Sequence, residues 1–355
     1  MEYGPCGGVE FDGSCEVAPH PCVFIETRTI AWHGLVDAPG NPDAVAHLTR
    51  PDPVPAPTVS TGSTRMRGLL ATRAIVVADF PAAALSASSI ESCAASLRES
   101  VDAVLAGDAG AARVQFPPAY RAHLIQSAGL EVWTGLNCRD RNRVALEGEL
   151  AALAQLGVAG IHSVTGDHTL TGSRPDAAPV FDLDSTELAA LASRAGLLVS
   201  VGEAPASPPI ERRPARLLEK EHAGAEICFV NHAGGVEPVR AFIEAARALG
   251  STVGFIPCIP IVVDRESAEL LKSFTTLVLP EGYLEGILAA ETPDAVRAAG
   301  IAAAVTLGEG FLALNGVVGV NLSGGAGPGG ELAFAQVLAE IGRQLMTSLP
   351  YGAES

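Results

Sequence analysis

From Arg73 onward the chain alternates short apolar runs with amphipathic stretches of ten to fifteen residues, and this repeat restricts the fold more than any other feature. The runs that read as strands are Ala74–Asp79, Asp102–Ala106, Glu131–Leu136, Gly160–Val164, Leu197–Val201, Ile227–Asn231, Thr252–Pro257 and Val317–Leu322. Helical spacing marks Val144–Leu156, Thr186–Ala195, Arg213–His222 and Val239–Leu249 between them, and Leu332–Leu345 closes the pattern. Such alternation builds a parallel sheet covered by helices, and eight strands in roughly 250 residues is the count and size of a (β/α)8 TIM barrel. A doubly wound sheet is the competing arrangement, but no G-x-G-x-x-G follows the first run to mark a dinucleotide crevice.

Residues 1–70 have a different composition, rich first in Gly, Cys and Pro and then in Pro, Ser and Thr with little periodicity. They read as a small irregular module and a linker preceding a barrel domain at 71–355. Seven cysteines are an odd number, and Cys6, Cys15 and Cys22 cluster in the module. In a reducing compartment these are free thiols or metal ligands rather than bridges. Three thiolates are one short of a closed tetrahedral zinc site, so zinc would need a fourth ligand such as His20 or His33. The other reading is a turn module held by packing alone.

The formal net charge of −17 argues against a nucleic-acid footprint, which needs a basic stripe. Anionic ligands would be met mostly by arginine, because Lys220 and Lys272 are the only lysines. No apolar run is expected to reach the roughly 20 residues that span a bilayer, and Met1-Glu2 does not open a targeting segment. A soluble cytoplasmic protein without membrane attachment is the expectation; oligomeric state leaves no mark in the sequence.

A barrel places its chemistry in the loops after the strands. There the sequence puts Asp79, Asn137-Cys138-Arg139-Asp140-Arg141-Asn142, Thr165-Gly166-Asp167-His168, Glu203, Asn231-His232, Pro257-Cys258-Ile259-Pro260 and the glycine-rich Ser323–Gly330. Asp79 and Asp167 are candidates for proton transfer or for hydrogen bonding to a ring amide, against the plain alternative of helix capping. The Arg139-Asp140-Arg141 run can pair with an anionic cofactor or carboxylate tail, or with itself.

Two stretches resemble a known family. Asn137–Asp167, with C-R-D-R-N opening a helix and T-G-D closing the next strand, is similar to the methylenetetrahydrofolate reductase signature, and Pro208-Pro209-Ile210-Glu211, Lys220, Ala223-Gly224-Ala225 and Phe255–Ile261 follow in matching order. The N-terminal Gly4-Pro5-Cys6-Gly7-Gly8-Val9, with Cys15 and Cys22, resembles the cysteine-bearing domain associated with some bacterial reductases of that family. The resemblance implies reduction of 5,10-methylenetetrahydrofolate to 5-methyltetrahydrofolate with NADH or NADPH, in one-carbon metabolism and methionine biosynthesis. It implies Asp79 as the acid assisting ring opening, where the family has glutamate. It also implies Asp167 and Asn231 as folate contacts, Asn231 replacing a glutamine; His232 beside it is either a second proton-transfer group or, as its loop position suggests, an ordinary exposed histidine.

Arg139, Asp140, Arg141, Asn142, Gly166 and Lys220 fall where the resemblance expects cofactor contacts. The flavin positions are eroded: the loop Gly202–Ser207 lacks the aromatic element, and Arg213 stands at an acidic position, leaving Lys220 as the match. FAD is therefore in question, and direct hydride transfer from the nicotinamide to the folate iminium is chemically allowed. A folate-dependent methyltransferase or demethylase, and a non-catalytic folate-binding subunit, are the competing functions.

Overall fold

The computed structural model describes residues 12–14, 21 and 60–349, apart from 108–111, 171 and 273–276. Its strands are β1 (Ile75–Asp79), β2 (Ala103–Ala106), β3 (Val132–Asn137), β4 (Gly160–Val164), β5 (Val199–Glu203), β6 (Ile227–Val230), β7 (Gly254–Pro260) and β8 (Gly319–Ser323). Each pairs in parallel with its sequence neighbours, and β8 returns to β1, closing the barrel in simple order. The eight expected strands are all present, with ends shifted by up to three residues.

The helices are α1 (Thr61–Thr72), α2 (Ala87–Leu97), α3 (Pro118–Ser127), α4 (Arg143–Leu156), α5 (Ser185–Arg194), α6 (Arg213–His222), α7 (Val236–Ala248), α8 (Arg265–Lys272), α9 (Tyr283–Leu288), α10 (Pro293–Leu312) and α11 (Glu331–Ser348). Local chemistry sets their starts. Asn142 caps α4 by accepting from Ala145 N at 3.1 Å, and Asp184 and Glu187 form a reciprocal capping box on α5. Alternation along the strands divides the apolar residues in two. Val76, Ala78, Val104, Val132, Val199, Val201, Val320 and Leu322 face the helices, whereas Ile75, Val77, Ala103, Trp133, Ile227, Phe229 and Ile256 fill the lumen.

The expected boundary between residues 70 and 71 falls inside α1, which belongs to the barrel. Met66, Leu69 and Leu70 pack on the lumenal cluster and close its N-terminal end. Ser60 and Ser63 hydroxyls donate to Val158 O at 3.2 Å, and a Cβ at Gly62 would come within 2.0 Å of Gly157 O. Weak periodicity concealed this helix because only a short stripe of it is buried.

The connection between β7 and β8, the one pair that the sequence pattern does not separate by about one helix, carries three helices. α8 and α9 make a satellite core of Val262, Ala268, Leu271 and Ile287, and Tyr283 donates to Pro260 O at 2.7 Å. The chain then bridges Val278 to Ala233 beside the end of β6. Contrary to the expectation that no stretch is long and apolar enough for a bilayer, α10 passes that test. It packs on β7, β8 and α11 as a barrel helix, burying Gly300, Ile301, Ala304, Gly308 and Phe311.

Candidate functional site

Strand register fixes which side chains share a level in the lumen. Following paired residues once around the barrel returns to β1 displaced by eight positions, the usual barrel shear. Alternate strands therefore supply successive layers of four. Val77, Trp133, Ser200 and Ile256 make one layer, fully buried. Leu105, His162, Phe229 and Asn321 lie above it, then Asp79, Gly135, Gly202 and Cys258, then Gly107, Val164, Asn231 and Ser323 at the rim.

Leu105, His162, Asp79, Gly202, Gly107, Val164 and Ser323 retain accessible surface although they face inward, and Asn231 is exposed. The lumen is thus a pocket open at the C-terminal mouth and closed below His162. Glycine creates the room: a Cβ at Gly107 would meet nothing within 4 Å, and one at Gly202 would meet only the His162 ring edge, 3.6 Å from Nε2.

Asp79 ends β1 on the pocket wall. Its Oδ1 accepts from Asn321 Nδ2 at 2.9 Å and its Oδ2 from Gly324 N at 3.3 Å, so it caps no helix. Burial raises its pKa above the ordinary carboxylate value, against the lowering effect of the Asn321, Ser323 and Gly324 hydrogen bonds. Asn321 also donates to Cys258 Sγ at 3.6 Å, and its own Oδ1 is buried with no hydrogen-bond partner among the described residues. Burial, with the charge of Asp79 next, pushes the Cys258 thiol up to about 12, which makes it an inert wall rather than a nucleophile.

His232 lies on the same side, covered by the Val278 segment, and its Nδ1 is buried without a hydrogen-bond partner among the described residues. Burial lowers its pKa to about 4. It is neutral at physiological pH and not the exposed loop histidine its position in the sequence suggests.

Across the mouth, Asn137 Oδ1 accepts from Asp140 N at 3.1 Å, and Arg139 chelates Asp140 with two bonds of 2.7 Å. Burial would raise the Asp140 pKa, but the Arg139 hydrogen bonds and charge hold it below the usual range. Arg139 and Asp140 thus answer each other, and Asn142 is a helix cap. Arg141 keeps Nη1 buried without a hydrogen-bond partner among the described residues. Gly166 has φ +89°, and a Cβ there would press on Arg139 Cβ at 3.1 Å and Asn137 Cβ at 3.2 Å, so the T-G-D turn needs glycine for two reasons. Asp167 faces Arg113 at 3.7 Å.

Lys220 reaches from α6 to Glu203 at 2.5 Å and to Gly202 O at 2.7 Å, outside the lumen. Arg213 stands 3.8 Å from the other Glu203 oxygen and donates to Ser207 O and Pro208 O. Both cations are occupied by the fold. Cys6, Cys15 and Cys22 lie outside the described residues, and among the described residues no group of three potential ligands could hold a metal.

Asn321, His162 and Arg113 were not singled out from the sequence. Asn321 and His162 sit inside strands and announce themselves only as polar residues in apolar runs, while Arg113 lies in the loop after β2.

Residues 104–322, more than half of the chain, match the family described as methylenetetrahydrofolate reductase. The chain belongs to the methylenetetrahydrofolate reductase family. This agrees with the C-R-D-R-N and T-G-D stretches, which the fold brings side by side at Gly166. A search of curated proteins finds no match. Among solved structures, an uncharacterised protein from Clostridium thermocellum, described as binding two copies of 5-methyl-5,6,7,8-tetrahydrofolic acid, superposes with a TM-score of 0.54. It is 12% identical, over 78% of this chain and 98% of that one. A 2,3-dimethylmalate lyase of the PEP mutase/isocitrate lyase superfamily aligns at TM-score 0.44 and 14% identity, over 74% of this chain and 78% of its own. The first of these likenesses shows the barrel fold.

Proposed function

We propose that this chain binds a reduced folate in the barrel mouth and reduces 5,10-methylenetetrahydrofolate to 5-methyltetrahydrofolate, with NADH or NADPH as hydride donor. The observation that carries the reading is Asp79. It is a half-buried carboxyl with a raised pKa at the end of β1, where the family places its acid, opening onto a pocket closed at the base. Family membership and the folate bound by the C. thermocellum barrel support the same ligand class.

In this scheme the C–N10 bond of the imidazolidine ring breaks as N10 takes a proton, leaving an N5 iminium. Hydride from the nicotinamide then adds to the iminium carbon, giving the methyl group and the oxidised nicotinamide. Asp79 supplies or relays the proton, and its carboxylate then stabilises the cation. Arg141, whose buried Nη1 has no hydrogen-bond partner among the described residues, is the member of the arginine run left to meet an anionic group of folate or dinucleotide.

The β5 loop and α6 do not fit flavin as the resemblance would hold it. Lys220 and Arg213 are both taken up by Glu203 and backbone carbonyls, so no step is routed through FAD. The same occupancy suits folate methyl transfer without redox chemistry, the competing reading.

The test is methylenetetrahydrofolate-dependent oxidation of NADH and NADPH, with a visible spectrum of the purified protein. Asp79→Asn is expected to lose roughly a hundredfold in kcat, the range of a general acid, and Asp79→Glu to retain activity. Unchanged turnover in Asp79→Asn overturns the assignment of the acid; absence of nicotinamide oxidation in the unaltered protein overturns the reductase.

A further inference from the structure

His162 projects from the middle of β4 into the lumen, a position that nothing in the scheme above uses. Its Nδ1 lies 2.9 Å from Ser200 Oγ, and that hydroxyl donates its one proton to Ile161 O at 3.2 Å. In the arrangement where Ser200 gives its proton to Ile161 O it accepts at Nδ1, so the imidazole carries its proton there and Nε2 is a bare lone pair. Nε2 points along Gly202 into the open pocket, and no hydrogen bond engages it among the described residues. Burial, and the Lys220 charge second, lower the His162 pKa to about 4, so the lone pair persists at physiological pH.

In the closed strand order β4 stands opposite β8, so within its layer His162 faces Asn321. Phe229 lies between them, edge-on to the His162 ring with centroids 5.1 Å apart. The floor is thus apolar at its centre, with an acceptor nitrogen at one wall. At the other wall stands Asn321, whose donor is already held by Asp79 and Cys258. A flat ring resting there must offer N–H groups outward, as the aminopyrimidine half of a pterin does.

Resting on the folate reading above, we infer that His162 Nε2 is a positioning residue that accepts a hydrogen bond from a pterin N–H, with Ser200 fixing the tautomer that permits it. The acceptor selects a donor-bearing heterocycle and sets how far the ring enters beneath Asp79.

The experiment is a titration of the full chain, labelled with 15N in its histidine rings, with 5-methyltetrahydrofolate, followed by calorimetry on variants. The His162 Nε2 resonance is expected to move upfield from its lone-pair position on folate addition. His162→Phe is expected to bind roughly tenfold more weakly, the effect of one lost hydrogen bond, and Ser200→Ala roughly threefold, the imidazole being kept but its tautomer released. Folate binding with an unmoved Nε2 resonance overturns this inference alone, as does a shift produced by NADH and not by folate. No folate binding in the unaltered protein overturns the folate reading, and this inference with it.

Discussion

Lys220 is the residue whose role the sequence and the structure put most sharply at odds, and its removal decides between them. If it serves the fold, Lys220→Met deprives Glu203 of its closest charged partner among the described residues. The Glu203 side chain is fully buried, its Oε2 has no hydrogen bond among the described residues, and Arg213 stands 3.8 Å away. Breaking a buried pair from one side costs about 3–5 kcal/mol, because a desolvated charge is stranded. For a domain of this size that corresponds to a fall in Tm of roughly 5–15 °C. Removing both charges together, as Lys220→Met with Glu203→Gln, is expected to restore most of it, since no stranded carboxylate remains. The assay is thermal unfolding of the wild type, both single variants and the double variant, with KM for NADH and NADPH measured alongside. A Tm for Lys220→Met within about 1 °C of wild type, together with a KM raised severalfold, would refute the structural reasoning and return Lys220 to cofactor binding.

Glu187 carries a pH dependence. Burial pushes it up to about 7 from an ordinary 4.5, so between those values the folded state binds more protons than the unfolded one. Stability is then highest at the acid end and lost as pH rises. Tm is expected to fall from pH 5 to pH 8, with a flatter profile in Glu187→Gln; a profile unchanged by that substitution rules the assignment out. Gly166→Ala forces a side chain into φ +89° against Arg139 and Asn137, and is expected to cost at least about 1–3 kcal/mol and to weaken folate binding by calorimetry. Gly62→Ala pushes α1 off Gly157 O. If α1 is integral to the barrel, this change lowers Tm by several degrees; an unaltered Tm would make α1 a detachable linker.

How much of this was legible in advance depended on period and on burial. Strands enclosed on both faces, such as Ile227–Val230, read as unbroken apolar runs, and the helices α4 and α5 begin within one residue of the periodic stretches that open at Val144 and Thr186. The T-G-D turn was legible because its glycine is imposed by backbone and neighbours alike. Contacts made across the barrel were not. Asn321 meets Asp79 over most of the chain's length, and only closure of β8 on β1 brings them together. His232 looked exposed because the Val278 segment that covers it is far away in sequence. Arg139 and Asp140 offered two readings, a ligand site or a mutual pair, and spacing could not choose between them; the chelate geometry does.

The two ends of the lumen differ for a reason that bears on the proposed catalysis. The lower end is filled by Trp133, Ile75 and the α1 side chains, so the barrel draws its packing from residues that never meet a ligand. The upper end gives up packing at Gly107 and Gly202 and holds unpaired polar atoms at Asn321 and His232, features that weaken a fold. Asp79 extends one methylene less than the family's glutamate, and Asn321 and Gly324 tie it to the wall. If Asp79 is the acid of the proposed reduction, the substrate must therefore come to it. The space above Gly202, opposite Asp79 in its layer, lets a ring seat deeply enough to do so. Gly202→Val is expected to fill that space and raise KM for methylenetetrahydrofolate at least tenfold while leaving the Lys220–Glu203 pair and Tm largely intact. A KM left at the wild-type value would show that the ring binds above the rim and not within the lumen.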